Sequence, residues 1–434
     1  MHYTLTPLLT WEGCSKHPPS SLPSPRRLAA RLLGEGEEYV ALLESGGGLP
    51  GRSRYTVVAA GAAEHVAVDS PSEAYRALAG FLGEGECHSL PCRDMAVFVL
   101  GYEAVAGLEP WLAPLLGRHP WPVLEAFRPE RLIVYDRLAE RVVVCPEDYT
   151  PPATGGLPGG FRAGATVYET PDADYMEWVE RVREAIVEGE VFQVVVSRLK
   201  RLEYTGDPYA AYVRLAELNP SPYMYYVRLG DRVLLGTSPE LLVKMEAGRL
   251  ETHPIAGTRP RGRGRRDIEL EEEMLRDEKE VAEHLMLVDL ARNDLGRVAE
   301  PGTVRVTSLM DVEKYSHVQH IVSRVEAQAR RGLTYTEALR ALHPAGTVSG
   351  APKTRAMRII AGLEDAPRGP YAGAVGLAGS HAGEAAIVIR SAWAWEGLVE
   401  LRAGAGIVYD SRPERELAET RHKLRAVEEA LTHQ

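Results

Sequence analysis

The sequence predicts an α+β protein built on antiparallel sheets. Short β-rich runs come in clusters, a few long amphipathic helices separate those clusters, and strand and helix never settle into a regular βαβ alternation. In the first third the β-rich runs are RYTVVAAG (54–61), MAVFVLGYEAV (95–105) and the pair 131–136 and 141–146, which reads as a hairpin. The composition then breaks once, at PEDYTPPATGGLPGGFRAGAT (146–166), where Pro and Gly dominate and no period survives. This divides the chain into a β-rich region over 1–150, a linker over 151–166 and a larger region over 167–434. Past the linker, Met176, Val179, Val182 and Ile186 mark one face of a helix over 173–190. A strand follows at 191–204, then a helix at 207–218 and strands at 223–229 and 232–238. One long helix is expected over 269–295, then a strand near 303–309 and a helix at 334–342. Strands at 372–379, 385–395 and 398–408 precede a closing helix at 413–432.

With 434 residues, 45% hydrophobic and 26% charged, the chain has ample material for a large core. No apolar run approaches the roughly 18 residues that span a bilayer, and the N-terminus lacks a secretion-signal layout, so a cytoplasmic protein is expected. A net charge of −11 argues against nucleic-acid binding. The basic stretch RPRGRGRRDIELEEE (259–273) runs into acidic residues and reads as a solvated charged loop. Cys14, Cys87, Cys92 and Cys145 form no C-x-x-C and all fall in the first third, so neither a zinc site nor a disulfide scaffold is expected. None sits in a G-x-C-x-G elbow.

HPAGTVSGAPKTRAM (343–357) looks at first like a phosphate-binding loop. In a Walker A loop glycine directly precedes the lysine, whereas here Ala351 and Pro352 separate Gly350 from Lys353, and proline has no N–H to offer a phosphate. Two helices carry more suggestive patterns. Glu280 and Glu283 are i, i+3 neighbours beside Val281, Leu285 and Val288, while Glu416, Glu419 and Lys423 share a face of the last helix. These are either solvated acidic faces or two pairs converging on a hard cation such as Mg²⁺, and the residues alone leave both open. PIAGTRPRG (254–262) and RAGAGIVYDS (402–411) are glycine turns beside strands, where backbone N–H groups can approach a ligand. Arg390 ends the apolar run AAIVIR as a rim residue or an anion anchor.

Taken in order, EGEVFQVVVSRL (188–199), NPSPYMYY (219–226), GTSPELLVK (236–244), PIAGTRPRG, EKEVAEHLMLVDLARNDLGRV (278–298), SHVQHIVSRV (316–325), HPAGTVSGAPKTRAM, YAGAVG (371–376), IVIRSA (387–392), AGAGIVYDS and ELAETRHKLRA resemble the chorismate-utilising enzymes, most closely their anthranilate-forming large subunits. The resemblance covers about residues 170–430, and ALLESGGGLPGRSRY (41–55) resembles the family's N-terminal element. It implies a two-lobed antiparallel sandwich with helices packed outside, and a Mg²⁺-dependent reaction of chorismate. Glu283 and Glu419 would be direct metal ligands, with Glu280 and Glu416 one water away. Glu240 would be the general acid near the C4 hydroxyl, and His320 would move a proton during pyruvate elimination, with Thr258 and Thr347 in the same catalytic set. Tyr371 and Arg390 would grip the enolpyruvyl carboxylate, and Gly404, Ala405, Gly406, Lys423 and Gln193 would line the substrate site. Glu44, Ser45, Pro222, Tyr223 and Met224 resemble a tryptophan feedback site, packing between the lobes being the plainer account of them.

Two positions bear on the reaction. Water-adding relatives carry lysine where this chain has Gln193, and aminodeoxychorismate synthases commonly carry lysine where it has Ala256. Both substitutions fit attack of free ammonia at C2 and release of anthranilate. With no glutaminase elbow in the chain, the ammonia is expected from a separate glutamine amidotransferase subunit. The competing readings are an aminodeoxychorismate synthase, less readily an isochorismate or salicylate synthase, a non-catalytic sensing subunit, and a P-loop module.

Overall fold

In the strand Tyr55–Ala60, Val57 and Ala59 enter one hydrophobic core while Val58 and Ala60 enter another. A strand buried on both faces reads as an unbroken apolar run, which is why this stretch shows no polar alternation. The computed structural model describes residues 13–46, 54–84, 87–88, 90–152, 159–315 and 318–432. Its strands form two antiparallel sheets of 12 and 10 strands among the described residues. The larger begins with Ser15–His17, Arg141–Cys145, Arg131–Asp136, Tyr55–Ala60 and Tyr39–Glu44, and continues through Tyr223–Leu229, Arg232–Ser238, Ser391–Trp395, Leu398–Ile407 and Gln193–Gly206. The smaller runs from Ile255–Pro260 and Val318–Gln328 through Arg249–Thr252, Leu241–Glu246, Gly383–Ile387 and Ala374–Ala378 to Ala96–Leu100, Leu124–Arg128 and Glu64–Val68. Strands from before and after the Pro/Gly-rich stretch therefore share both sheets.

The principal core lies between the sheets, where Val57, Val134, Tyr225 and Trp393 of the larger meet Phe98, Leu124, Val243 and Val375 of the smaller. Helices Pro25–Gly34, Pro208–Leu218 and Pro413–Thr432 cover one stretch of the larger sheet's outer face. Asp172–Val187 and Lys353–Leu363 cover another, burying Trp178, Val179 and Ile360 against Val194, Val196 and Ala405.

Five expectations need correction. Residues 161–166 are not linker: they belong to the strand Phe161–Glu169, which pairs with Gln193–Gly206 despite its Gly and Ala content. The helix expected over 269–295 is two, Arg265–Arg276 and Glu278–Gly296. They part at Asp277, whose carboxylate accepts from the N–H groups of Lys279 (3.1 Å) and Glu280 (3.3 Å) as an N-cap. The apolar run 385–395 is split between Gly383–Ile387 in one sheet and Ser391–Trp395 in the other. The run 95–105 leaves its strand after Leu100 and turns into the 3₁₀ segment Tyr102–Gly107.

Finally, all four cysteines are paired, Cys14 with Cys145 and Cys87 with Cys92. Pairing of Ser15 with Val144 across an antiparallel ladder brings Cys14 to Cys145, a proximity hidden by their separation of 131 residues.

Candidate active site

Two of the chain's crossings between the sheets lie side by side. One crossing joins Arg232–Ser238 to Leu241–Glu246 and carries Glu240; the other joins Gly383–Ile387 to Ser391–Trp395 and carries Arg390. They are tied by backbone hydrogen bonds from Thr237 N–H to Arg390 O and from Ile387 N–H to Glu240 O, both 3.1 Å. Glu240 is buried, and its Oε1 accepts a 2.7 Å hydrogen bond from Thr347. Arg390 sits in the left-handed region at φ 53° and makes no side-chain hydrogen bond or ion pair among the described residues. Burial lowers the pKa of its guanidinium, against the pull of the Glu419 and Tyr371 side chains. With no partner among the described residues, its guanidinium is free to receive an anion.

His320 lies on the strand Val318–Gln328, opposite a register shift between Ala256 and Arg259. The bulge turns Gly257 O and Thr258 Oγ1 toward His320 Nδ1, each at 3.0 Å. A hydrogen on Nδ1 satisfies the carbonyl and leaves Nε2 as an acceptor. Burial, assisted by the positive charges of Arg390 and Lys423, pulls the imidazole down to about 4. His320 is therefore neutral near pH 7, and the two basic groups that depress it are near neighbours.

Gly404 and Gly406 alternate with Ala405 on Leu398–Ile407. A side chain at Gly404 would lie 2.8 Å from the Tyr371 hydroxyl and 2.9 Å from Val196 O, so only glycine fits there, while one at Gly406 would lie 2.4 Å from Gln193 Nε2 and push that side chain aside. Ala405 turns its methyl the other way, into the core beneath Asp172–Val187; it offers the site its backbone alone. Gln193 Oε1 is buried without a partner among the described residues. Lys423 Nζ donates to Gly404 O at 2.8 Å and pairs with Glu419 at 2.7 Å. Beneath Tyr371 lies a buried network no motif announced: Arg368 and Arg402 both pair with Glu364, and Arg368 also donates to Val195 O and Val348 O at 2.7 Å. Its sequence signals are Glu364 and Arg368 four residues apart and a charge, Arg402, inside an apolar strand.

Glu280 and Glu283 on Glu278–Gly296 and Glu416 and Glu419 on Pro413–Thr432 are brought close enough to feel one another. Burial raises Glu283 to about 7, with Glu280, Glu416 and Glu419 adding to the rise. Burial likewise raises Glu280 and Glu416; Glu419 is lowered, burial being outweighed by Lys423, Lys279 and Arg390. Glu280 Oε2 is buried without a hydrogen-bond partner among the described residues. No three carboxylates among the described residues converge tightly enough to chelate an ion as they stand. A mutually repelling, partly buried set of oxygen donors with one orphaned oxygen nevertheless suits a hard divalent cation.

Sequence reasoning also missed Arg259. Far from being solvated, it lays Nη1 2.5 Å from Glu280 Oε1, while Arg261 pairs with Asp267 at 2.8 Å. Lys353, the lysine of the apparent phosphate loop, is an internal tie: it pairs with buried Asp294 at 2.5 Å and donates to Leu342 O at 3.0 Å.

A second cavity, of about 90 Å³, opens between the sheets and is lined by Glu44, Ser45, Tyr223 and Met224 with Leu90, Pro91 and strand residues of both sheets. Pro222 is buried but does not line it. Glu44 accepts from Arg26 at 2.8 Å and from the Tyr212 hydroxyl at 2.6 Å.

Residues 41–429 match the family of chorismate binding enzymes, and the chain belongs to that family. It is 56% identical over 428 residues, 98% of this chain and 97% of the other, to anthranilate synthase component 1 of Aeropyrum pernix. It is 42% identical to the protein of that name from Saccharolobus solfataricus, covering 96% and 99% of the two chains. Among solved structures, anthranilate synthase component I of Streptococcus pneumoniae superposes with a TM-score of 0.74 at 32% identity, over 87% of this chain and 92% of that one. MenF, the menaquinone-specific isochorismate synthase of Escherichia coli, shares the fold at a TM-score of 0.77 and 20% identity, over 96% and 94%.

Proposed function

We infer that this chain is the chorismate-using large subunit of an anthranilate synthase, turning chorismate and ammonia into anthranilate, pyruvate and water. The observation that carries the reading is the pair of adjacent crossings that set Glu240 and Arg390 in one desolvated site with neutral His320, in a chain similar over nearly its whole length to anthranilate synthases.

Arg390 and Tyr371 hold the enolpyruvyl carboxylate, the guanidinium having no competing partner among the described residues. Glu240, oriented through Oε1 by Thr347, protonates the C4 hydroxyl as it departs. Neither Gln193 nor Ala256 can supply a lysine amine, so the nucleophile at C2 is ammonia itself. His320 Nε2 then takes the C2 proton as pyruvate is eliminated and the ring becomes aromatic, while Nδ1 stays bonded to Gly257 O. The four glutamates would hold Mg²⁺ on the ring carboxylate, where such an ion withdraws electron density and stabilises charge as the hydroxyl leaves.

All four cysteines being paired, none is left as a glutaminase nucleophile, so we assign ammonia delivery to a separate amidotransferase subunit. Disulfides are rare in ordinary cytosol but abundant in intracellular proteins of hyperthermophiles, and a cytoplasmic enzyme with internal bridges fits that setting. The cavity at Glu44, Ser45, Tyr223 and Met224 is the place we assign to tryptophan. Ala386 lines it, and the next residue, Ile387, holds the backbone of Glu240, so one strand touches both sites.

Two outcomes are expected. With chorismate, ammonium and Mg²⁺, His320→Met should consume chorismate but accumulate the aminated intermediate, seen by chromatography; undiminished anthranilate fluorescence would remove His320 from the elimination. Ser45→Ala should raise the tryptophan concentration for half-inhibition by about tenfold, about 1.4 kcal/mol, with kcat unchanged. Unchanged inhibition would place the regulatory site elsewhere.

A further inference from the structure

Three of the four glutamates assigned to the metal are already matched with a cation from the chain. Arg259 Nη1 lies 2.5 Å from Glu280 Oε1, with Nη2 3.6 Å from Asp277 Oδ2; Lys423 lies 2.7 Å from Glu419, and Lys279 lies 3.8 Å from Glu283. The lysines come from the same helices as their partners, at i, i+4 spacing, and so follow their carboxylates wherever those move. Arg259 is different, since it reaches in from the strand Ile255–Pro260 on the smaller sheet. That strand also packs Gly257 so closely that a side chain there would lie 2.7 Å from Glu280 Oε2. Glu280 is thus clasped at one oxygen by a guanidinium from another element and left without a partner among the described residues at the other.

We propose that Arg259 is a built-in counter-cation of the metal site, a positioning residue that must release Glu280 when the divalent ion enters. A guanidinium at this distance and a divalent ion near the same carboxylate repel each other and compete for its negative charge, so the pair held by the free protein opposes entry of the ion. Metal uptake is an exchange of one cation for another, and Arg259 weakens metal binding in the absence of substrate. It also keeps a cluster of four carboxylates from destabilising the empty protein. Thr258, the residue before Arg259, is hydrogen-bonded to His320, so the exchange takes place beside the proton-transferring side of the site.

The proposal rests on the assignment of the glutamates to the metal, and the test separates the two. Mn²⁺ binding is measured by the loss of free-ion electron paramagnetic resonance signal, with the full chain and no chorismate, for wild type, Arg259→Gln and Glu283→Gln. Arg259→Gln should bind at least tenfold more tightly than wild type, with a lower melting temperature when no metal is present. An affinity equal to or weaker than wild type, at a site Glu283→Gln abolishes, would overturn the role of Arg259 alone. Binding that ignores Glu283→Gln, or no binding by any of the three proteins, would overturn the metal assignment and this proposal with it. Should Arg259→Gln fail to fold, a crystal structure of Mn²⁺-loaded wild type decides: the guanidinium should stand beyond the ~4 Å reach of an ion pair from Glu280, and a retained pair refutes the exchange.

Discussion

Glu240→Gln should lower the rate of chorismate consumption about 10³-fold, leaving KM for chorismate within roughly threefold of wild type. Glutamine has the same length and keeps an oxygen to accept from Thr347, so the packing at the crossing survives. What it lacks is a proton to give the departing hydroxyl, a loss of about 4 kcal/mol in the transition state. With the ground-state contacts to the substrate assigned to Arg390 and Tyr371, the effect should fall on kcat. The measurement is chorismate disappearance with saturating ammonium and Mg²⁺, compared with binding followed by calorimetry. A variant that turns over near the wild-type rate would take the acid role from Glu240, and one that no longer binds chorismate would make it a binding residue.

Breaking the Cys14–Cys145 bridge should be the most destabilising change that leaves the active site untouched. The bridge closes a loop of 131 residues, and the chain-entropy relation gives about 5 kcal/mol of stabilisation for a loop that long. Spread over the unfolding entropy of a chain this size, the loss corresponds to a fall of roughly 5 °C in melting temperature. Cys14→Ser and Cys145→Ser should show the same fall, and the double variant no more than either. The Cys87–Cys92 bridge, with a separation of five residues, should contribute less when removed alone. Calorimetry with and without reductant checks this: a reductant-insensitive melting temperature, unchanged in Cys14→Ser, would show that the strand pairing around Ser15 suffices.

The two bridges illustrate where sequence reasoning reaches its limit. Cysteine spacing gave no sign of them, because one pair is joined only through the ladder between Ser15–His17 and Arg141–Cys145. The break at Asp277 was equally obscure: a helical period runs through it, and only the folded Asp277 side chain, capping Lys279 and Glu280, shows that two helices meet there. The run 385–395 misled for the opposite reason. Apolarity on both faces is shared by one long buried strand and by two short strands in different sheets, and the positive φ at Arg390 that separates them leaves no mark on the composition.

The sequence by itself determined the α+β class, the order of most elements, the pairing of glutamates on two helices and the family to which the ordered motifs belong. These are local properties, fixed by the periods of helix and strand and by residue identity at short spacing. Only the tertiary structure decided which charges are neighbours. It set Arg259 on Glu280, withdrew Lys353 from any ligand by pairing it with Asp294, turned Ala405 into the core, and left Arg390 without a partner among the described residues. The physical reason is that electrostatic and desolvation energies depend on distance and burial in space. Two antiparallel sheets joined by side-by-side crossings bring together residues 240 and 390, which no sequence period connects.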